Sequence, residues 1–213
     1  MEILDIVDRN GEPTGEQIDR ETAHKNGIRH RTSHLWVARI KKKHSETATL
    51  SDVQLLLQKR SDNKDSHPGK LDISSAGHIP AGTTGYETSA VRELKEELGI
   101  DAKEEELHYC GKRRKEYKKK FHDSVFWDNQ VSNVYVIMRN IEAEDVKYQL
   151  SELSGVMWMP FDEVYSMVEA DSLLDAQGDI INTKSCIALE EMNMLKKYVE
   201  DNLEQLETEQ NKV

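Results

Sequence analysis

Apolar and polar positions along the chain follow two different periods, which divide it into strands and helices. Residues 3–7 alternate, and Asn10-Gly11 followed by residues 13–15 makes the connection of a β-hairpin. Residues 34–40 (HLWVARI), 53–59 (VQLLLQK), 71–75, 131–138 and 156–159 read as further strands, with polar loops at 41–51 and 62–69. The period changes after residue 83. Thr84-Gly85-Tyr86-Glu87 has the spacing of a capping box, Ala90, Val91, Leu94 and Leu98 form an apolar stripe, and Gly99 is a stop. Residues 160–168 read as a short helix. Leu189, Met192, Leu195, Val199, Leu203 and Leu206 recur every three or four positions, predicting a long amphipathic C-terminal helix.

Strands interleaved with helices, without repeats or an obvious boundary, point to one α/β domain over residues 1–213, with a C-terminal helical extension over about 184–209. Charged residues make up 32% of the chain, but its periodic apolar runs are incompatible with disorder. The net charge of −11 argues against general nucleic-acid binding. Acidic stretches such as Glu200–Asp201 and 204–209 read as a solvated helix face. Cys110 and Cys186 sit in no CxxC or Cys/His array, so no disulfide framework is expected. With neither a transmembrane-length run nor a leader pattern, the expected location is the cytoplasm, and no membrane partner is expected.

The stretch Arg92-Glu93-Leu94-Lys95-Glu96-Glu97-Leu98-Gly99-Ile100 carries the candidate chemistry. On a helix Glu93 and Glu97 stand one turn apart, Glu96 is three residues from Glu93, and Leu94 and Leu98 face the opposite way. Such crowding is repulsive unless a positive charge relieves it. Arg92 supplies part of that charge, and a hard divalent cation with oxygen preference, Mg²⁺ or Mn²⁺, would supply more. Gly77–Gly85 lets backbone approach the same point. For RExxEE spacing alone, a solvated acidic face is the alternative.

With its flanks, the segment from Ala76 to Ile100 resembles the Nudix box, here spanning 77–100. The family pattern ends in Arg-Glu-apolar-x-Glu-Glu-x-Gly-apolar, and residues 92–100 match every specified position. The first half departs twice: the family's first Glu falls on Thr83 or Thr84, and one extra residue separates Gly77 from Arg92. Glu87 is a structural substitute for that Glu. The resemblance implies a Nudix α/β/α sandwich with a mixed sheet, a metal held by Glu93, Glu96, Glu97 and the Gly77 carbonyl, and hydrolysis of an X-linked diphosphate such as a nucleoside diphosphate derivative. Glu97, Glu93, Arg92 and Glu152 are the candidate catalytic residues. Glu97 and Glu93 are the candidate general bases within the box; Glu152, before the Trp158-bearing strand, is the best candidate from a later loop, and an ordinary loop carboxylate is its alternative.

Beyond the box, the order GEPTG, DRETAH, HRTSHLWV, LLLQKRSDNK and DISSAGH is similar to the type I isopentenyl-diphosphate isomerases. That resemblance implies diphosphate binding by Arg20, Arg60 and Lys64, and places His24, His30 and His78 where the isomerases bind metal. A second metal site and a set of hydrogen-bonding residues are both open readings for these histidines. The isomerase's catalytic Cys falls on Ala76 and its catalytic Glu on Gln130, and neither Ala nor an amide is a general base. Hydrolysis is therefore expected over isomerisation, and a non-catalytic diphosphate-binding module is a further alternative. Residues 112–120 (KRRKEYKKK) read as an exposed basic hairpin or a guide for anionic substrate. Core packing is expected for Trp36, Trp127 and Trp158 over stacking on a base. The C-terminal helix packs either on its own domain or on the partner in a homodimer.

Overall fold

The computed structural model describes residues 2–42, 47–64, 66–121, 124–172 and 184–211. The expected loops at 41–51 and 62–69 include 43–46 and 65, which lie outside the described residues. The N-terminal hairpin forms as expected from β1 (Ile3–Val7) and β2 (Pro13–Asp19), turning where Gly11 takes φ +88°. A short helix that the apolar pattern does not announce follows, α1 (Arg20–Asn26). Its signals are at its ends: the Asp19 carboxylate accepts from Thr22 N, and Gly27 closes it at φ +67°.

β3 (His30–Ile40) starts four residues before the apolar run suggests and is buried along its whole length. It pairs in parallel with β8 (Ser124–Met138), which returns from β7 (His108–Phe121). The opposite edge of β3 is shared. Its first half pairs with β6 (Ser75–His78) and its second half with β4 (Val53–Arg60). β5 (Leu71–Asp72) and β9 (Leu153–Pro160) complete a seven-stranded mixed sheet on β4. The single strand expected at 71–75 is thus two, β5 and β6.

Alternation along β3 sends its side chains to two cores. Leu35 and Val37 pack with Ala90, Leu94 and Leu98 of α2 (Tyr86–Leu98). Trp36 and Ala38 pack on the other face with α3 (Phe161–Asp171) and α4 (Leu189–Gln210). This is the expected α/β/α sandwich. α2 begins at Gly85 without the expected capping box, because the Glu87 carboxylate instead accepts from the Tyr135 hydroxyl at 2.7 Å.

The C-terminal helix covers its own sheet, kinking at Asn202 and burying Met192, Leu195, Val199 and Leu206. Its first turn also buries a charge. Glu191 accepts from Trp36 Nε1 at 3.1 Å and Arg113 Nη1 at 2.7 Å, and lies 2.9 Å from His34 Nδ1. Burial pushes this carboxyl up, but His34, Arg113 and the hydrogen bonds outweigh it and hold its pKa at about 2. Trp36 is in the core, as expected. Trp158 packs against the α2 core and donates to Ile141 O at 3.0 Å. Trp127 departs from the expectation, lying half-buried against Gly27 with Nε1 donating to Glu116 at 3.2 Å.

Replacing Glu191 with Gln removes the buried counter-charge of Arg113 and leaves it only the exposed Glu190 at 3.7 Å, so a loss of about 3 kcal/mol is expected in urea unfolding at neutral pH. The folded carboxyl titrates below the ordinary Glu value of 4.5, so its contribution is present above that pH and is lost as pH falls toward about 2. The difference between wild type and Glu191→Gln should narrow over that window.

Candidate functional site

The N-terminal half of β3 leaves the apolar core and becomes polar, and its neighbours follow by register. His78, Thr32, Ser132 and Arg113 form one row across β6, β3, β8 and β7; His30, Gln130 and Lys115 form the next. Thr32 and Ser132 hydroxyls meet at 2.7 Å. These rows floor a cleft of about 370 Å³ on the α4 side of the sheet. The expected site residues Arg20, Arg60, Lys64, Gly77, Glu93, Glu96, Glu97 and Glu152 all line it, and Arg92 borders it through its ion pairs.

The acidic wall is built by α2 against β6. Glu97 is buried and accepts from Ala76 N at 3.4 Å. Burial, then the charge of Glu93, pushes its pKa up to about 7. Glu93 is also pushed up by burial, opposed by Arg92, which donates to it at 2.6 Å. Glu96 is exposed and pairs with Arg92 at 2.7 Å. Gly77 is required here for space: a Cβ at this position would overlap the Glu93 carboxyl group. A buried carboxylate and a half-buried one, both with raised proton affinity and beside a chain position with no side chain, fit a hard divalent cation.

The basic side chains are mostly paired. Arg60 donates to Asp72 at 2.9 Å and to Ser66 O, while Lys64 donates to Glu152. The expected base and one expected phosphate-binding residue are therefore ion-pair partners. The basic run is not a uniformly solvated hairpin. It lies in β7, whose alternation turns Arg113, Lys115 and Tyr117 into the cleft and Lys112, Arg114 and Lys118 outward. Period two applied to KRRKEYKKK would have separated the two faces.

His24 on α1, His30 on β3 and His78 on β6 come together, with one ring nitrogen of each within 4.8 Å of the others. Burial lowers the pKa of all three, His24 to about 3, so each offers a neutral lone pair at neutral pH. His24 Nδ1 and His30 Nε2 are buried without a hydrogen-bond partner and lie 3.9 Å and 4.0 Å from Asp128. Asp128 was overlooked as a site residue in the sequence; its register opposite Tyr117 puts it on the cleft face.

Residues 45–179 match the NUDIX domain family model. Nudix hydrolase 3 of Arabidopsis thaliana is 38% identical over 76% of this chain, which spans only 20% of that relative. A Nudix hydrolase of Clostridium acetobutylicum is 35% identical over 85% of this chain and 81% of its own length. A crystal structure of a Deinococcus radiodurans protein shares the fold at a TM-score of 0.54, with 21% identity over 79% of this chain and 90% of that one. A glutamate-lined helix against a glycine strand in an α/β/α sandwich defines the class. The chain belongs to the Nudix family of pyrophosphohydrolase enzymes, which generally need divalent cations. Among the described residues, no helix is long and apolar enough to cross a membrane.

Gly77→Ala is expected to force the Glu93 carboxyl out of its position and weaken divalent-cation binding at least about tenfold by the cost of disturbing a ligand. Calorimetric titration with Mn²⁺ checks the binding, and an unchanged far-UV spectrum shows that the fold persists.

Proposed function

We propose that the protein is a Mg²⁺-dependent hydrolase of an X-linked diphosphate, such as a nucleoside diphosphate derivative, with Mn²⁺ as an alternative ion. The observation carrying this reading is the pair of buried Glu97 and half-buried Glu93, side by side where Gly77 leaves room. Glu93 and Glu97 hold the cation, with Glu96 and the Gly77 carbonyl beside them. Arg92, donating to both Glu93 and Glu96, fixes their orientation. The bound cation supplies charge neutralisation for the phosphates and acidifies water. Arg20, Arg60 and Lys64 bind the phosphate oxygens. Glu152, oriented by Lys64, accepts the proton of the attacking water.

An isomerase-like layout of the cleft remains part of this reading, as a resemblance. Isomerisation itself needs a proton-transfer pair, and Ala76 and Gln130 carry no group that does this work. The non-catalytic alternative leaves unused the whole acidic wall.

A screen of nucleoside, sugar, coenzyme and isoprenoid diphosphates with Mg²⁺ or Mn²⁺ should reveal phosphate-bearing products. Glu97→Gln is expected to lower turnover about 10³-fold or more and to weaken Mn²⁺ binding, whereas Glu152→Gln loses turnover but retains the cation. Unchanged turnover in Glu97→Gln would remove the acidic wall from the mechanism.

The unpartnered nitrogens of His24 and His30 favour a second cation held by His24, His30, His78 and Asp128. Elemental analysis of a Glu93→Gln/Glu97→Gln variant should then find a transition metal that His24→Ala removes. No metal retained by the double variant would leave the histidines as hydrogen-bonding residues.

A further inference from the structure

Lys115 stands apart from the other cleft cations. Arg60, Lys64, Arg113 and Arg20 each have a carboxylate partner, in Asp72, Glu152, Glu191 and Glu2 respectively. Among the described residues, no carboxylate lies within ion-pair distance of Lys115. Its ammonium sits 4.4 Å from the Tyr117 ring centroid, which compensates only part of the charge. Burial lowers its pKa, with Arg113 acting in the same direction and Asp128 against it. An ammonium taken from water without a counter-ion is costly to keep unless a ligand completes it.

Its position separates it from the acidic wall. Gly77 on β6 and Lys115 on β7 lie on opposite edges of the four-strand floor, with β3 and β8 between them. Three strand spacings and a three-residue offset along the strands put their backbones about 17 Å apart. Lys64 acts electrostatically on Glu97, whereas Lys115 acts on Asp128 and, together with Arg60, on His67. A diphosphate bound at the acidic wall does not reach that far by itself.

We infer that Lys115, with Arg113 beside it, forms a second anion subsite, so that the substrate carries a further phosphate or carboxylate on the moiety linked to its diphosphate. Glu191 from the C-terminal helix is a positioning residue for this subsite, because it fixes Arg113 at 2.7 Å. This inference rests on the diphosphate reading for the position of the substrate's other end.

Two matched pairs of linked diphosphates test it by calorimetric Kd, which does not depend on turnover. NADPH against NADH differs by a phosphate, and UDP-glucuronate against UDP-glucose by a carboxylate. In at least one pair the anion-bearing member should bind wild type about tenfold more tightly, the worth of one charge-assisted hydrogen bond. The responding pair identifies the anion. Lys115→Met should abolish the difference and Lys115→Arg should keep it, while the Tm of Lys115→Met stays level or rises because a half-buried charge is gone. A merely structural Lys115 would lower Tm and leave the ratio intact. Equal affinities in both wild-type pairs, or a preference that survives Lys115→Met, overturn the subsite. Loss of turnover on every substrate with the preference intact would instead overturn the hydrolase reading alone.

Discussion

Two carboxylates held together, Glu97 buried and Glu93 half-buried, are the constraint on which the site depends. Left alone, the carboxylates repel: burial and then the charge of Glu93 raise the proton affinity of Glu97, while burial raises that of Glu93 against the pull of Arg92. The fold tolerates the pair because it anchors the opposite edge of the same helix: Ala90, Leu94 and Leu98 are buried against Leu35 and Val37 of β3. The helix cannot rotate to relieve the charge without exposing that edge. Gly77 then provides the space into which Glu93 fits. Packing energy on one side of the helix therefore maintains electrostatic tension on the other, and a divalent cation is the natural relief.

The same division recurs in the sheet. The second half of β3 sends Trp36 and Ala38 into an apolar core under α4, while the first half presents Thr32 and His34 to the cleft. Glu191 stands where the two regimes meet, binding Trp36 from the core and Arg113 from the cleft floor. The C-terminal helix thus contributes both apolar cover and a charge that orders the wall opposite α2.

Much of this was legible in the sequence where one physical signal dominated. The stripe through Ala90, Leu94 and Leu98 fixed which way the α2 carboxylates face, and the spacing through Leu189 to Leu206 announced α4. Helix α1 was not legible, because its seven residues carry polar side chains and only its caps, Asp19 and Gly27, betray it. The first half of β3 was missed for the related reason that HRTS is polar yet buried, its polarity serving the cleft. The capping box at Thr84 misled because Glu87 had a better partner in Tyr135, far away in sequence. Pairings such as Lys64 with Glu152 and Glu191 with His34 span long sequence separations, so no local pattern reveals them. Arg113 and Lys115 were hidden in a basic run whose two faces only the strand separates.

In the proposed reaction, water attacks phosphorus at the acidic wall. Turnover of a cleaved diphosphate in ¹⁸O-labelled water, with the products weighed by mass spectrometry, tests this most directly. One labelled oxygen in a phosphate product is the predicted result. Label on the carbon-bearing fragment in place of phosphate, or an isomerised diphosphate released uncleaved, would contradict it.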